Sequence, residues 1–287
     1  MVRNNPHYMW GTSESEKLIP FPSVSSILSI VDKSDFLSPW VAKQIVEFIR
    51  DNALPQGESH EKEWIVADSV LDHAHESYKA TSGRAMSIGS RVHELAENFG
   101  SESINWEEEP VEVRNGYEAF VKFTRNENPI FLELERPVVH WNALGYLLES
   151  PFSENIPKNK LRPYAYSGTY DAIAEINGRN YILDYKTSKD VYPTHWLQVS
   201  SYLKARLSLN GKQLKLFTDF DEPVEKIIDY PEIRLDGVGI VHLDKYVGDY
   251  NLILHNMDFV DERFDTFKAL AKFWWRYKKR AINNAVA

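Results

Sequence analysis

The sequence contains no cysteine among its 287 residues. This absence excludes disulfide bonds, cysteine-built zinc sites and cysteine-ligated iron–sulfur clusters. The chain also has no apolar run of the ~20 residues that a membrane-spanning helix needs. Its first ten residues lack the apolar segment of a signal peptide and are not arginine-rich like a transit peptide. We therefore expect a cytoplasmic protein with no membrane partner.

Positive charge is in deficit, because 33 lysines and arginines face 42 acidic residues, for a formal net charge of −9. Such a balance argues against DNA binding by long-range attraction alone, although a local basic groove can coexist with an acidic exterior. The hydrophobic content of 43% is typical of a globular protein. The length allows one large domain or two small ones.

The most informative stretch covers residues 166–202. Residues 172–176 show the period of a strand, and Tyr181-Ile182-Leu183 start a return strand. Asn177-Gly178 between them is a strong signal for a β-hairpin turn. Residues i and i+2 of a strand point to one side, so Asp184 and Lys186 share a face. Pairing across the turn brings Asp171 opposite this end of the second strand. The pattern therefore predicts two carboxylates and an ammonium group converging at the rim of a sheet.

This combination has a definite chemistry. Two carboxylates with the backbone carbonyl of Tyr185 between them suit a hard divalent cation such as Mg²⁺ or Mn²⁺. Lys186 would orient a metal-bound water or stabilise charge on a phosphate. A single Asp-x-Lys is more often an exposed ion pair on an edge strand. The ordered set of residues around it favours a site.

Two further residues are candidates on weaker patterns. His93 lies beside small residues on a helix predicted over residues 87–99, where a lone histidine is usually hydrogen-bonded and structural. Residues 131–139 alternate like a strand, with Glu133 and Glu135 on one face and leucines on the other. Taken alone, these glutamates read as solvated carboxylates.

Three short motifs occur in order: G-x-x-D at Gly168–Asp171, D-x-K-T-S within Leu183–Ser188, and Q-x-x-x-Y at Gln198–Tyr202. At these residues the sequence resembles the RecB-like exonuclease branch of the PD-(D/E)XK nuclease superfamily, which includes phage exonucleases and the mitochondrial genome maintenance exonuclease. Some members of that branch carry a cysteine-ligated iron–sulfur cluster, and this chain departs from them.

The resemblance implies roles for individual residues. Asp171, Asp184 and the Tyr185 carbonyl would bind one or two Mg²⁺ or Mn²⁺ ions. His93 would be a further metal ligand, and Glu135 would face the site, with Glu133 as the alternative. The catalytic set is expected to be Asp171, Asp184, Lys186, Gln198 and Tyr202.

The expected fold is α/β (α+β), with a central mixed β-sheet flanked by helices in a restriction-endonuclease-like core at residues 86–287. An N-terminal helical region, residues 1–85, would pack on this core, and one of its helices would begin at Ser38-Pro39. Further strands are expected in the sheet at residues 212–224 and 233–243. Residues 147–165 are expected to be a loop insertion.

The implied function is a metal-dependent DNA exonuclease that hydrolyses phosphodiester bonds from a DNA end. It would act on single-stranded DNA or strand ends in replication, recombination or repair, in a bacterial or phage-infected host cell. The alternatives are a catalytically silent nucleic-acid-binding or assembly protein on a nuclease fold, and an unrelated α/β protein with an incidental Asp-x-Lys. Protein partners are unknown.

Two basic segments are candidate nucleic-acid contacts. One is in the insertion and carries Lys158, Lys160 and Arg162, although the segment reads equally well as an idle loop. The other ends the last predicted helix, where Lys272 and Arg276 alternate with aromatic residues. Bases stack on aromatic rings while cations meet phosphates. The simpler interpretation of that helix end is that its aromatic residues dock it on the core.

Overall fold

The computed structural model describes residues 9–10, 19–20, 22–31, 34–56, 63–100, 104–140, 165–217 and 225–277. The helices in these ranges are α1 (Val24–Leu28), α2 (Ser34–Asn52), α3 (Asp68–Ala74), α4 (Ser77–Glu97), α5 (Val111–Glu127), α6 (Pro193–Ser208) and α7 (Met257–Tyr277). The strands are β1 (Met9–Trp10), β2 (Ile19–Pro20), β3 (Leu54–Gln56), β4 (Glu63–Ile65), β5 (Ile130–His140), β6 (Tyr166–Ile176), β7 (Arg179–Lys186), β8 (Lys212–Phe217), β9 (Glu225–Tyr230), β10 (Gly237–Asp244) and β11 (Asp249–Asn256).

The central sheet is mixed and has five strands in the order β11-β10-β7-β6-β5. β10 runs parallel to β7, and every other neighbouring pair is antiparallel. Helices flank this sheet, so the predicted α/β class is confirmed. No helix in the described ranges is both long and apolar enough to cross a bilayer.

The hairpin of β6 and β7 is the local element that the sequence predicts best. Asn177 and Gly178 both have positive φ, 51° and 74°, as the tight turn of a hairpin requires. The pairs run from Ile176↔Arg179 to Ala172↔Leu183. The ladder ends there, one residue short of Asp171 on β6 and one residue short of Asp184 on β7.

Alternation along the strands gives the sheet two apolar faces. One face packs against α1, α6 and α7, where Ile173, Ile182 and Ile240 meet residues such as Leu203 and Phe267 in one buried cluster. The opposite face carries α5. The ring centroids of its Phe120 and of Tyr185 on β7 lie 5.3 Å apart. Apolar burial on both faces explains why β7 is buried along most of its length.

The chain divides into two compact units, one made of Met1–Ile30 with His93–Ala287 and the other of Val31–Val92. This division differs from the expected boundary between residues 85 and 86. Part of the reason is that the chain around α1 joins the larger unit. There the Ser167 amide donates to the Pro22 carbonyl at 3.0 Å, and Ser23 forms a parallel bridge with Ser167.

Two predicted elements are wrong in detail. The helix expected to begin at Ser38-Pro39 begins at Ser34, so Pro39 lies inside α2, past the first turn where a missing amide hydrogen is harmless. The strand expected at residues 212–224 is β8, which pairs with β9 in a separate two-stranded sheet among the described residues. The strand expected at 233–243 does join the central sheet, as β10.

Candidate metal centre

Asp171 lies on β6 near the point where the ladder with β7 ends, and it is 9% exposed. Its Oδ2 accepts a hydrogen bond of 2.6 Å from the Tyr185 amide. Its Oδ1 lies 3.3 Å from His93 Nδ1. One carboxylate therefore connects the central hairpin to helix α4.

Glu135 occupies the matching position on β5. The register pairs Leu134 with Ala172 and Arg136 with Tyr170, with no pair formed between Glu135 and Asp171, which face each other between them. Glu135 has φ 43°, a left-handed conformation that costs energy for a residue with a side chain and is concentrated at functional sites. The interrupted ladder therefore coincides with two of the candidate metal ligands.

The side chains of His93, Glu135 and Asp171 form one cluster. One donor atom from each of them lies within 4.8 Å of the other two, in a search of the described residues. His93 is presented from α4, where Val92, Leu95 and Ala96 are buried on either side of it in sequence. Its ring meets the Tyr185 ring edge-on, with centroids 5.9 Å apart.

Asp184 and Lys186 share a face of β7, as predicted, and form an ion pair with Nζ 2.5 Å from Oδ2. Asp184 is 2% exposed. Burial raises the pKa of Asp184 to about 6; Lys186 opposes this shift and the charge of Asp171 adds to it. Asp184 therefore interacts electrostatically with the cluster, although its carboxylate is not one of the three groups that lie within 4.8 Å of one another.

Asp171 and His93 each stabilise the charged form of the other. Burial by itself would raise the pKa of Asp171, but the charge and hydrogen bond of His93, together with Lys186, hold it below its usual value. Burial opposes protonation of His93, yet the charge of Asp171 raises the pKa of this imidazole above its ordinary value. A metal ion would replace the imidazole proton as the partner of the carboxylates.

These donors fit a divalent ion of moderate hardness. Two carboxylates and one imidazole suit Mn²⁺ as well as Mg²⁺, because imidazole is a poorer ligand for Mg²⁺ than oxygen is. The Tyr185 carbonyl belongs to the residue whose amide binds Asp171. Its role as a further ligand stays a prediction.

The other motif residues meet on α6 and β6. The Gln198 amide donates to the Tyr202 hydroxyl at 3.0 Å, and the Tyr202 ring packs on Gly168 so closely that a Cβ there would overlap it. Tyr202 is 5% exposed. The structure thus brings Gly168, Gln198 and Tyr202 together and gives Tyr202 a packing role.

The predicted alternation of β5 holds over residues 132–135, but its leucine side is the exposed one. Leu132 and Leu134 are 44% and 40% exposed, whereas Glu133 is buried. Glu133 is therefore not a solvated carboxylate. Arg206 holds both of its oxygens, at 2.8 and 2.9 Å, so Glu133 is not free to replace Glu135 as a ligand.

Arg206 is the site-related residue that sequence reasoning missed. Its side chain is fully buried, which is rare for arginine unless it is paired. A signal was present, because Gln198, Tyr202 and Arg206 follow one another at intervals of four along α6 and so share a helix face.

The basic candidates lie apart from the cluster in sequence. Lys272 and Arg276 are exposed on the last turns of α7. Phe273 and Tyr277 on the same turns are exposed too, and their ring centroids are 4.6 Å apart. Lys158, Lys160 and Arg162, with the rest of the expected insertion up to residue 164, lie outside the described residues.

In comparisons with known proteins, no family model matches the sequence, and no curated protein matches it significantly. The resemblance to RecB-like exonucleases therefore rests on the motif residues alone.

Proposed function

We propose that the protein is a Mg²⁺- or Mn²⁺-dependent deoxyribonuclease of the RecB-like type that removes nucleotides from a DNA end. The observation that carries this proposal is the convergence of His93, Glu135 and Asp171 within 4.8 Å, with the ion pair of Asp184 and Lys186 on the neighbouring strand. Side chains from a helix and three strands supply these groups. Buried groups of strongly perturbed pKa are concentrated at functional sites.

The division of roles follows from the contacts. His93, Glu135 and Asp171 would hold the ion, with Asp184 and the Tyr185 carbonyl completing its coordination. Such an ion supplies a bound water of lowered pKa and neutralises charge on the scissile phosphate. Gln198 and Tyr202 support the strand that carries Asp171, through the contact of Tyr202 with Gly168.

Lys186 has the role of a positioned cation. Its ammonium group is held by Asp184 and is partly open to solvent, with 16% of the side chain exposed. A lysine fixed in this way can donate a hydrogen bond to the attacking water or to a phosphate oxygen, and it stabilises the negative charge that develops there.

DNA is the proposed partner, as single strands or strand ends in replication, recombination or repair. The exposed end of α7 supports this proposal, because Phe273 and Tyr277 can stack bases while Lys272 and Arg276 contact phosphates. Location in the cytoplasm of a bacterium or an infected host belongs to the same proposal.

The test is a digestion assay with the full chain. Linear DNA, single- or double-stranded and labelled at either end, is incubated with Mg²⁺, with Mn²⁺ or with EDTA, beside a circular single strand. We expect metal-dependent shortening of linear DNA, survival of the circle and no digestion in EDTA. Cleavage of the circle would instead identify an endonuclease. DNA binding without digestion in any metal would identify a silent binding protein.

Lysine variants provide the matched control. Lys186→Ala is expected to abolish digestion, whereas Lys189→Ala, which removes an exposed lysine three residues later, is expected to leave it unchanged. Digestion that survives Lys186→Ala would show that the Asp-x-Lys is incidental.

A further inference from the structure

Glu133 and Arg206 form an ion pair that is removed from solvent. Arg206 Nε lies 2.8 Å from Glu133 Oε2, and its Nη2 lies 2.9 Å from Oε1. The Tyr170 hydroxyl donates to the same Glu133 Oε2. Taking two charges out of water is unfavourable, so a buried pair is weak evidence for stability. Stability alone therefore does not explain why Glu133, Arg206 and Tyr170, together the Glu133 network, are buried against one another.

The Glu133 network touches both strands that carry carboxylates of the metal centre. Glu133 precedes Glu135 by two residues on β5, and Tyr170 is adjacent to Asp171 on β6. The β5 strand is irregular on both sides of Glu133, with the register shift before it and the positive φ of Glu135 after it. The network therefore binds the irregular segment of β5 at its centre, through Glu133.

The α6 end of the network is rigid. The guanidinium of Arg206 also donates to Asn210 Oδ1 at 2.6 Å and to the Pro231 carbonyl at 2.9 Å. It lies over the Tyr230 ring, 5.2 Å from the centroid. With these partners the arginine is fixed in orientation, so it can serve as an anchor for Glu133.

We infer that Glu133, Arg206 and Tyr170 are positioning residues that set metal affinity by holding Glu135 and Asp171 face to face. This inference rests on the proposed function. A one-residue slip in β5 would turn its side chains to the opposite face of the sheet. The ion pair opposes that slip, because it would expose Glu133 and leave Arg206 buried without its partner.

The test compares two tyrosine-to-phenylalanine changes on β6. Tyr170→Phe removes the hydroxyl that binds Glu133. The control Tyr166→Phe removes a buried hydroxyl that donates to the Ser201 carbonyl at 2.7 Å and does not bind Glu133. Mn²⁺ binding to the full chain, without DNA, is measured by calorimetry and by electron paramagnetic resonance. We expect Tyr170→Phe to weaken binding by about tenfold, as loss of support to metal ligands does, and Tyr166→Phe to change it less than about twofold.

Digestion kinetics give a second readout. In Tyr170→Phe the Mn²⁺ concentration for half-maximal digestion should rise by the same factor, while the rate at saturating Mn²⁺ stays near that of the wild type. The double variant Glu133→Leu/Arg206→Met replaces the pair by apolar side chains, which can preserve folding. It should retain the wild-type circular dichroism spectrum and bind Mn²⁺ more weakly than Tyr170→Phe does.

The outcomes separate the two proposals. Wild-type protein that binds Mn²⁺, with Tyr170→Phe and the double variant binding it equally well, overturns the positioning role alone. Equal weakening by Tyr166→Phe and Tyr170→Phe also overturns it, because the effect would then be general. Wild-type protein that binds no Mn²⁺ overturns the proposed function and this inference together.

Discussion

The ring of Tyr202 lies directly on the backbone of Gly168, and a Cβ added at Gly168 would overlap the Tyr202 ring carbons. The two residues come from different motifs, one on β6 and the other on α6. The glycine is therefore required by close approach and not by a special backbone angle. The contact fixes the strand only three residues before Asp171.

Gly168→Ala tests this contact. We expect it to lower the free energy of unfolding by about 1–3 kcal/mol, as overpacking of a tight core does, and to reduce digestion by displacing Asp171. Urea denaturation measures the first effect. The cost should shrink in a Tyr202→Ala background, where the space is open. As a control, Gly83→Ala adds a Cβ to α4 at a position where no atom of the described residues, apart from the helix's own backbone and the two chain neighbours, lies within 4 Å. It should stabilise the protein by about 0.5–1 kcal/mol.

Asp184→Asn should make the metal-free protein more stable and abolish its activity. Burial raises the pKa of Asp184 to about 6, so the folded state disfavours its charge, and stability falls as pH rises from about 4 through 6. Removing the charge should stabilise the metal-free protein at pH 8 by roughly 1–3 kcal/mol and abolish digestion. The exposed Asp190 provides the control, because Asp190→Asn should change neither. A less stable Asp184→Asn protein at pH 8 would contradict this account.

The buried imidazole of His140 makes the free energy of unfolding depend on pH. It is 7% exposed, and burial, with help from Lys268 and Lys204, lowers its pKa to about 4. In the unfolded chain this imidazole becomes protonated below about pH 6.5, whereas in the folded protein it stays neutral down to about pH 4. The free energy of unfolding therefore has its full value above pH 6.5 and decreases as the pH falls towards 4. The loss amounts to about 3 kcal/mol.

His140→Phe should remove this dependence. The ring can still stack on Tyr166, as the imidazole does with centroids 5.2 Å apart, and the change removes Nδ1, which has no hydrogen-bond partner within the described part of the chain. Urea denaturation at pH 7 and pH 4.5 should show a smaller difference for His140→Phe than for wild type. His75→Phe, at an exposed histidine, should keep the wild-type difference.

Asp171→Asn tests the cluster without any metal or DNA. The charge of Asp171 raises the pKa of His93 against the effect of burial, so the His93 pKa should fall in this variant. Titration of the imidazole ring protons by NMR measures it. Glu97→Gln removes an exposed carboxylate one turn further along α4 and should have a smaller effect. Equal shifts in both variants would mean that Asp171 has no special contact with His93.

Local sequence pattern predicts some of the helices and strands and fails for others. The β6–β7 hairpin, α5 and α6 follow from turn residues and apolar periodicity within short stretches. The start of α2 does not, because Pro39 in the sixth position of a helix contradicts the usual preference of proline for the first. The separate pairing of β8 with β9 is equally invisible in local pattern, since strand propensity does not identify the partner sheet.

The sequence by itself determined the hairpin that carries Asp171, Asp184 and Lys186, because a tight turn at Asn177-Gly178 sets its register. Only the tertiary structure decided between Glu133 and Glu135. Glu133 is bound by Arg206, which lies 73 residues away on another element. Periodicity describes neighbours along a strand, and it carries no information about which distant charge will be buried against it.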